Sequence, residues 1–132
     1  MHTFPVTVYY EDTDMAGIVY HANWLKYVER ARSDLVHRLG IDQNAMRAAG
    51  RVFAVAHLDA TFRAPARLDD RLTVTTEAVE ATGARLVLDQ RVTQDATGRV
   101  CFSARVTLAC IGTDGRAARL PAELRSRIVP EG

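Results

Sequence analysis

Residues 10–39 read YEDTDMAGIVYHANWLKYVERARSDLVHRL, and this stretch joins a short acidic loop to a long amphipathic segment. Apolar side chains recur at helical spacing over residues 22–39, which predicts one long helix that Gly40 ends. The first turn of a helix carries backbone N–H groups without intrahelical acceptors and the positive end of the helix dipole. The acidic loop therefore brings Asp14 and His21 to a place that favours a developing negative charge, as in hydrolysis of an activated acyl group.

The rest of the chain alternates with the period of β strands. One strand is predicted before the acidic loop, over residues 3–10, with Val8 and Tyr10 on its buried face. Four more strands follow the helix, over residues 51–63, 71–81, 84–94 and 99–110. Asp42 is expected to cap a short second helix, and Pro121 to begin a last one. Short turns make neighbouring strands antiparallel. The prediction is an α+β fold in one domain, residues 1–132, with a five-stranded antiparallel sheet wrapped around one long helix.

The strand over residues 51–63 is expected to have one continuous apolar face. Alternation without a break places six side chains on that face: Val52, Ala54, Ala56, Leu58, Ala60 and Phe62. Strands of this length also suit edge pairing between two copies of the chain.

The composition excludes several classes of function. Hydrophobic residues make up 48% and charged residues 25% of the 132 residues, and the formal net charge is +1. This balance gives no electrostatic case for nucleic acid. No apolar run approaches the roughly 20 residues that span a bilayer. The N-terminus lacks the features of a signal peptide, so we expect a cytoplasmic location. Cys101 and Cys110 are expected to be buried free thiols, and no histidine–cysteine spacing suggests a metal site.

Three sequence segments resemble those of a known family. They are Tyr10-Glu11-Asp12-Thr13-Asp14-x-x-Gly17-x-Val19-Tyr20-His21-Ala22-Asn23-Trp24, then Tyr27-Val28-Glu29-Arg30-Ala31-Arg32, and Ala64-Pro65-Ala66-Arg67-Leu68-Asp69-Asp70. The chain resembles the hotdog-fold acyl-CoA thioesterases, above all the Tol–Pal-associated (YbgC-like) branch, which is related to the 4-hydroxybenzoyl-CoA thioesterases. The similarity runs from Thr7 to Pro121, and the predicted order of strands and helix agrees with a hotdog fold.

The resemblance implies a catalytic site at the helix entry. It makes Asp14 the catalytic carboxylate, acting as nucleophile or general base, and His21 a second catalytic residue whose backbone N–H polarises the thioester carbonyl. Gly17 is expected to let the loop approach the substrate, which Ile18, Val19 and Tyr20 would also contact. The implied substrate is an acyl-CoA or acyl carrier protein thioester. No metal or cofactor is implied, because coenzyme A is part of the substrate.

The resemblance also implies a homo-oligomer, either a dimer or a dimer of dimers (a homotetramer), with active sites at the subunit interface. The alternative function is a non-catalytic acyl-CoA binding module or an envelope-associated scaffold on the same fold.

Other charged residues have structural interpretations. Asp12 is expected mainly to shape the loop through hydrogen bonds to nearby backbone N–H groups. His21 has an alternative role in bonding loop backbone. Glu29 is expected to be structural, paired with Arg30 or Arg32. Three arginines are candidates for contact with the coenzyme A phosphates, and the sequence does not choose among them: Arg63, Arg67 and Arg85.

Overall fold

The computed structural model describes residues 1–128 and contains five strands and three α-helices. The elements are β1 (His2–Thr7), α1 (His21–Arg38), α2 (Gln43–Ala48), β2 (Arg51–Phe62), β3 (Arg71–Ala81), β4 (Arg85–Gln94), β5 (Val100–Gly112) and α3 (Ala122–Arg127). The strands form one antiparallel sheet in the order β1-β3-β4-β5-β2. The predicted α+β fold, with a five-stranded antiparallel sheet and one long helix, is confirmed.

Helix α1 lies across one half of this sheet. It packs on β1, β3 and β4, and its buried apolar residues are Trp24, Tyr27, Val28, Ala31 and Val36. The predicted limits hold to within one residue, because Gly40 adopts a left-handed φ of +80° just after the last turn. Sequence periodicity missed Tyr27, which is fully buried.

The first strand is shorter than predicted. β1 ends at Thr7, and a single turn of 3₁₀ helix at Tyr10–Asp12 replaces the end of the predicted strand. The backbone N–H of Tyr9 donates to Asp12 Oδ2 at 2.9 Å. This hydrogen bond to a nearby carboxylate replaces one that the N–H could have made to a neighbouring strand. Val8 stays buried as predicted, whereas Tyr10 is 83% exposed and was wrongly assigned to the buried face.

Strand β2 contains a bulge that the sequence pattern did not reveal. Its pairing with β5 shifts register between Val55 and His57, which leaves Ala56 as the extra residue. Before the bulge, Phe53 and Val55 stand opposite the buried residues of β5, and after it Leu58 and Phe62 do. The predicted continuous face is therefore wrong, because an extra residue moves Val52 and Ala54 to the other side of the sheet.

The helix-facing side of β2 is largely uncovered. β2 is an edge strand, and α1 lies over the opposite half of the sheet. Val55 is 52% exposed and Phe62 55% exposed, although both stand opposite buried residues of β5. An edge strand with apolar side chains and unpaired backbone groups is suited to pairing with another chain.

Both cysteines are buried and free, as predicted. Burial raises the pKa of the Cys101 thiol and of the Cys110 thiol. None of the helices in residues 1–128 is long and apolar enough to cross a membrane.

A buried amide joins the helix to the centre of the sheet. Gln90 is 1% exposed, and its Nε2 donates to the carbonyl of Val28 at 2.9 Å and to Thr76 Oγ1 at 3.0 Å. Its Oε1 accepts a hydrogen bond from Arg32 Nη1 at 3.1 Å. Partial burial lowers the pKa of Arg32, although the Glu29 carboxylate favours its charged form. The amide thus satisfies a buried carbonyl and a partly desolvated cation together.

We expect Gln90→Leu to lower the free energy of unfolding by about 2 kcal/mol, because it leaves buried polar groups without partners. Urea titration followed by circular dichroism measures this change. Adding Arg32→Met to the variant should recover part of the loss, since no cation then lacks an acceptor. This account would be contradicted if the double variant lost more free energy of unfolding than the two single variants lose in total.

Candidate active site

The acidic loop is held against the start of α1 by the backbone of Asp12. The Asp12 carbonyl accepts hydrogen bonds from the backbone N–H of Tyr20 and from Nδ2 of Asn23, each at 2.9 Å. The Asp12 carboxylate is buried and bonds Tyr9, as described above. The interpretation of Asp12 as a loop-shaping residue agrees with these bonds.

Tyr27 lies beneath this loop. Its hydroxyl is buried and completes no hydrogen bond of normal geometry within residues 1–128, although the Asp12 carboxylate is close. Burial, reinforced by that carboxylate, raises the pKa of Tyr27 well above its usual range, so the ring stays neutral.

Asp14 occupies a tight turn that its own side chain stabilises. Oδ1 accepts the backbone N–H of Ala16 at 2.8 Å and lies 3.5 Å from that of Ile18, and the Asp14 N–H donates to the Ile18 carbonyl at 2.9 Å. The other carboxylate oxygen, Oδ2, accepts no hydrogen bond from any described residue. One oxygen is thus fixed by backbone, and the other is available to a substrate or a water molecule.

Gly17 is required by the shape of this turn. Its φ is +79°, a left-handed conformation that costs other residues roughly 1–2 kcal/mol, and its N–H donates to the Asp14 carbonyl at 3.0 Å. A Cβ at this position would meet no atom within 4 Å. Gly17 does not line the cleft described next, so its role in the structure is conformational.

A cleft of about 430 Å³ opens beside Asp14. Its lining residues are Asp14, Ile18, Val19, Tyr20, His21, Trp24, Phe62, Arg63, Ala64 and Pro65. Five of the six predicted site residues therefore lie around one cavity, and Gly17 is the exception. In the far wall, residues 62–65, the sequence reasoning had named only Arg63, as one of three candidates for the coenzyme A phosphates. It missed Phe62, Ala64 and Pro65 as site residues, because their position depends on the pairing of β2 with β5. The only local signal was the Ala-Pro break after a strand that ends on an exposed phenylalanine.

His21 is the first residue of α1 and is exposed at the cleft. Its ring lies 4.5 Å from the Tyr20 ring and 6.2 Å from the Phe62 ring, measured between centroids. The imidazole forms no hydrogen bond within residues 1–128, so the alternative role of bonding loop backbone finds no support. The backbone N–H groups of His21 and Ala22 lie in the first turn, where α-helical geometry offers them no acceptor.

Glu29 lies away from this cleft. It accepts a hydrogen bond from Ser33 Oγ at 3.1 Å. Within the described chain it forms no direct ion pair with Arg30 or Arg32. Its carboxylate nevertheless favours the charged form of Arg32 and opposes the lowering of the Arg32 pKa by burial, so the predicted pairing with Arg32 exists as a longer-range electrostatic interaction. Glu29 instead lines a separate cavity of about 190 Å³ beside Val55 of β2.

The cleft combines three features that acyl transfer requires. The free oxygen of Asp14 can attack a carbonyl carbon or take a proton from water. The N–H groups at the start of α1 can stabilise the resulting oxyanion. The rings of Tyr20, Trp24 and Phe62 give the cleft an apolar wall against which an acyl group can pack.

Comparisons with known proteins identify the family of this chain. The model of the thioesterase-like superfamily matches residues 8–128. Acyl-CoA thioester hydrolase YbgC of Escherichia coli O6:H1 is 35% identical over 128 residues, which cover 97% of this chain and 89% of that protein. Acyl-CoA thioesterase YbgC of Haemophilus influenzae is 38% identical over 110 residues, with coverage of 83% and 79%. The crystal structure of a 1,4-dihydroxy-2-naphthoyl-CoA thioesterase from Synechocystis superposes with a TM-score of 0.91 at 25% identity, covering 96% of this chain and 94% of that one.

We expect Gly17→Ala to loosen the Asp14 turn, because alanine disfavours the left-handed φ. Hydrogen exchange measured by mass spectrometry should be faster over residues 14–20. Gly98→Ala is the matched control, since Gly98 also has a left-handed φ, +73°, with open space around it, but lies in the β4–β5 turn. Both variants should lose about 1 kcal/mol of stability. Unchanged exchange over residues 14–20 in Gly17→Ala would show that the turn does not depend on this glycine.

Proposed function

This chain belongs to the thioesterase-like superfamily, and from that membership we propose that it hydrolyses acyl-CoA thioesters in the cleft beside Asp14. The observation that carries the proposal is that Asp14, whose Oδ2 accepts no hydrogen bond from any described residue, lines a largely apolar cleft at the start of α1. Its fold and its relatives support the same activity, release of a carboxylic acid and free coenzyme A from the thioester.

The reaction begins with attack on the thioester carbonyl carbon. Asp14 either removes a proton from the attacking water or attacks directly to give an anhydride that water then hydrolyses. In both routes the carbonyl oxygen becomes an oxyanion, which the backbone N–H of His21 stabilises. Collapse of the tetrahedral intermediate breaks the C–S bond and expels the thiolate of coenzyme A. The His21 imidazole, which forms no hydrogen bond with any described residue, orients the water or the acyl group.

The remaining cleft residues hold the substrate. Ile18, Val19 and Tyr20 form the near wall, and their backbone is fixed because the Val19 N–H donates to the Ala66 carbonyl at 2.9 Å. Gly17 contributes by keeping the turn in shape. The proposed reaction uses no metal and no cofactor, and an acyl group on acyl carrier protein is the alternative substrate.

We also propose that two copies pair along β2. The exposed edge of β2 offers backbone hydrogen bonds, and its helix-facing side offers apolar area that α1 leaves open. Antiparallel pairing would set the Phe62 end of one strand, which lines the cleft, beside the Phe53 end of its partner. A dimer, or a dimer of dimers, would then complete the wall of each cleft. The free thiols of Cys101 and Cys110 support a cytoplasmic location for this assembly.

We expect Asp14→Asn to lower kcat by about 10²-fold or more with the fold intact, because the amide can neither attack nor accept the proton. Release of free coenzyme A from acyl-CoAs of increasing chain length measures this change. Asp114→Asn is the matched control. Asp114 Oδ1 also accepts the backbone N–H two residues on, that of Arg116 at 3.0 Å, but it lies outside the cleft.

Turnover of Asp14→Asn equal to that of the wild-type enzyme would exclude Asp14 as the catalytic carboxylate. An absence of coenzyme A release by the wild-type protein, with acyl-CoA still bound, would favour the non-catalytic binding module.

We expect Val55→Lys to convert the oligomer into monomers, because a charge would occupy the apolar face that the partner covers. Sedimentation velocity gives the mass directly. Leu68→Lys is the control, since Leu68 is an exposed apolar residue, 46% accessible, outside β2. A wild-type protein that sediments as a monomer would contradict pairing along β2.

A further inference from the structure

The outer side of the sheet, away from α1, carries a row of hydroxyl and guanidinium groups. In register across four strands, Thr75 of β3 stands opposite Arg91 of β4, Arg91 opposite Ser103 of β5, and Ser103 opposite Thr61 of β2. Directly opposed residues share one face of a sheet. We call these four residues the hydroxyl row. Three hydroxyls and one cation therefore lie side by side on this face.

Arg63 adds a second cation beside this row. Its Nε donates to Ser103 Oγ at 2.9 Å, and its backbone N–H donates to the Cys101 carbonyl at 2.8 Å. Its two Nη groups bond no described residue. Because Ser103 Oγ accepts from Arg63, its own hydroxyl hydrogen is left to donate to a ligand. The arginine is thus anchored by a neutral group, and its charge is not neutralised.

The adjacent row on the same face behaves differently. There Asp59, Arg105, Asp89 and Glu77 stand in register. Arg105 forms a two-point ion pair with Asp89, at 2.7 and 2.9 Å. The one arginine of this row is therefore already paired, and its other acids repel anions. Arg91 interacts electrostatically with Asp89 but forms no ion pair with it, and Arg63 forms no ion pair with any described residue. An anion is therefore favoured beside Arg63 and Arg91 and not over the adjacent row.

Arg63 also connects this surface to the cleft. It lines the Asp14 cleft, and it lines a groove of about 520 Å³ that runs over both the hydroxyl row and the adjacent row. When the thioester group is held at Asp14, the coenzyme A part of the substrate can therefore pass Arg63 and extend onto the outer face of the sheet. Coenzyme A carries its phosphates on that distant part of the molecule, and guanidinium groups bind phosphate oxygens through paired N–H donors.

We propose that Arg63, Arg91 and Ser103 bind phosphate groups of the coenzyme A portion of the substrate on the outer face of the sheet. The proposal rests on the proposed function, and it chooses among the three arginines that the sequence left open. Arg67 and Arg85 line neither the cleft nor the groove. Arg63 and Arg91 are the binding residues, and Ser103 is a positioning residue that also offers one hydrogen bond.

The test compares thioesters that share one acyl group and differ in their phosphates. Arg63→Gln should raise KM for the acyl-CoA by about tenfold, the usual value of a charge-assisted hydrogen bond, and leave kcat unchanged. This rise should be about tenfold larger than any change in KM for the acyl-pantetheine, which has no phosphate, because Arg63 also lines the cleft in which both substrates react. Arg91→Gln and Ser103→Ala should act in the same direction. Arg85→Gln is the matched control and should change nothing, because Arg85 is an exposed arginine at the far end of β4.

A third substrate, the acyl-4′-phosphopantetheine, distinguishes the phosphates. An effect of Arg63→Gln that persists with it assigns the site to the phosphate next to pantetheine, which acyl carrier proteins also present. An effect seen with the acyl-CoA alone assigns the site to the nucleotide phosphates.

Two results would overturn the proposal. One is an unchanged KM for the acyl-CoA in Arg63→Gln, and the other is an equal rise for the acyl-pantetheine, which would mean that Arg63 shapes the cleft. Thermal unfolding of each variant checks that it is folded. Failure of the proposed function is separate, since it would appear as Asp14-independent hydrolysis of the acyl-pantetheine.

Discussion

The carbonyl oxygen of Asp12 holds the acidic loop on the first turn of α1, and the candidate site depends on that attachment. Two donors from the helix entry, the Tyr20 backbone and the Asn23 amide, converge on this one atom. The Asp12 carboxylate meanwhile fixes the chain as it leaves β1. Asp14 lies two residues further on, so its distance from the free N–H groups of α1 is set by these bonds. The loop itself is too short to have a core that would hold it.

The second constraint is that one helix covers only part of a five-stranded sheet. Helix α1 lies on β1, β3 and β4, and Gln90 fixes it there by bonding the Val28 carbonyl. The helix-facing side of β2 stays open as a result. The cleft lies along this open side, with Phe62 in its wall. Assembly of the protein and the shape of the site therefore depend on the same strand, and a change in one is expected to affect the other.

Features determined by local interactions could be predicted from the sequence. The limits of α1 follow from its periodicity and from Gly40, and the second helix follows from Asp42, whose carboxylate accepts two backbone N–H groups. Features determined by distant residues could not be predicted. The bulge at Ala56 exists only relative to β5. The side of the cleft formed by residues 14–21 could be predicted, because those residues follow one another in the sequence. The choice of Arg63 was not, because its anchor, Ser103, lies 40 residues away in the chain.

The burial of the two cysteines bears on how this enzyme can be studied. Disulfide reagents and maleimides react with thiolates that they can reach. Cys101 is 1% exposed and Cys110 is 0% exposed, and burial keeps both thiols protonated. The folded protein therefore does not react with a chromogenic thiol reagent, and the colour formed during turnover comes from the thiol of the released coenzyme A. For the same reason, labelling of these two cysteines reports unfolding, because they become reactive only when the sheet opens.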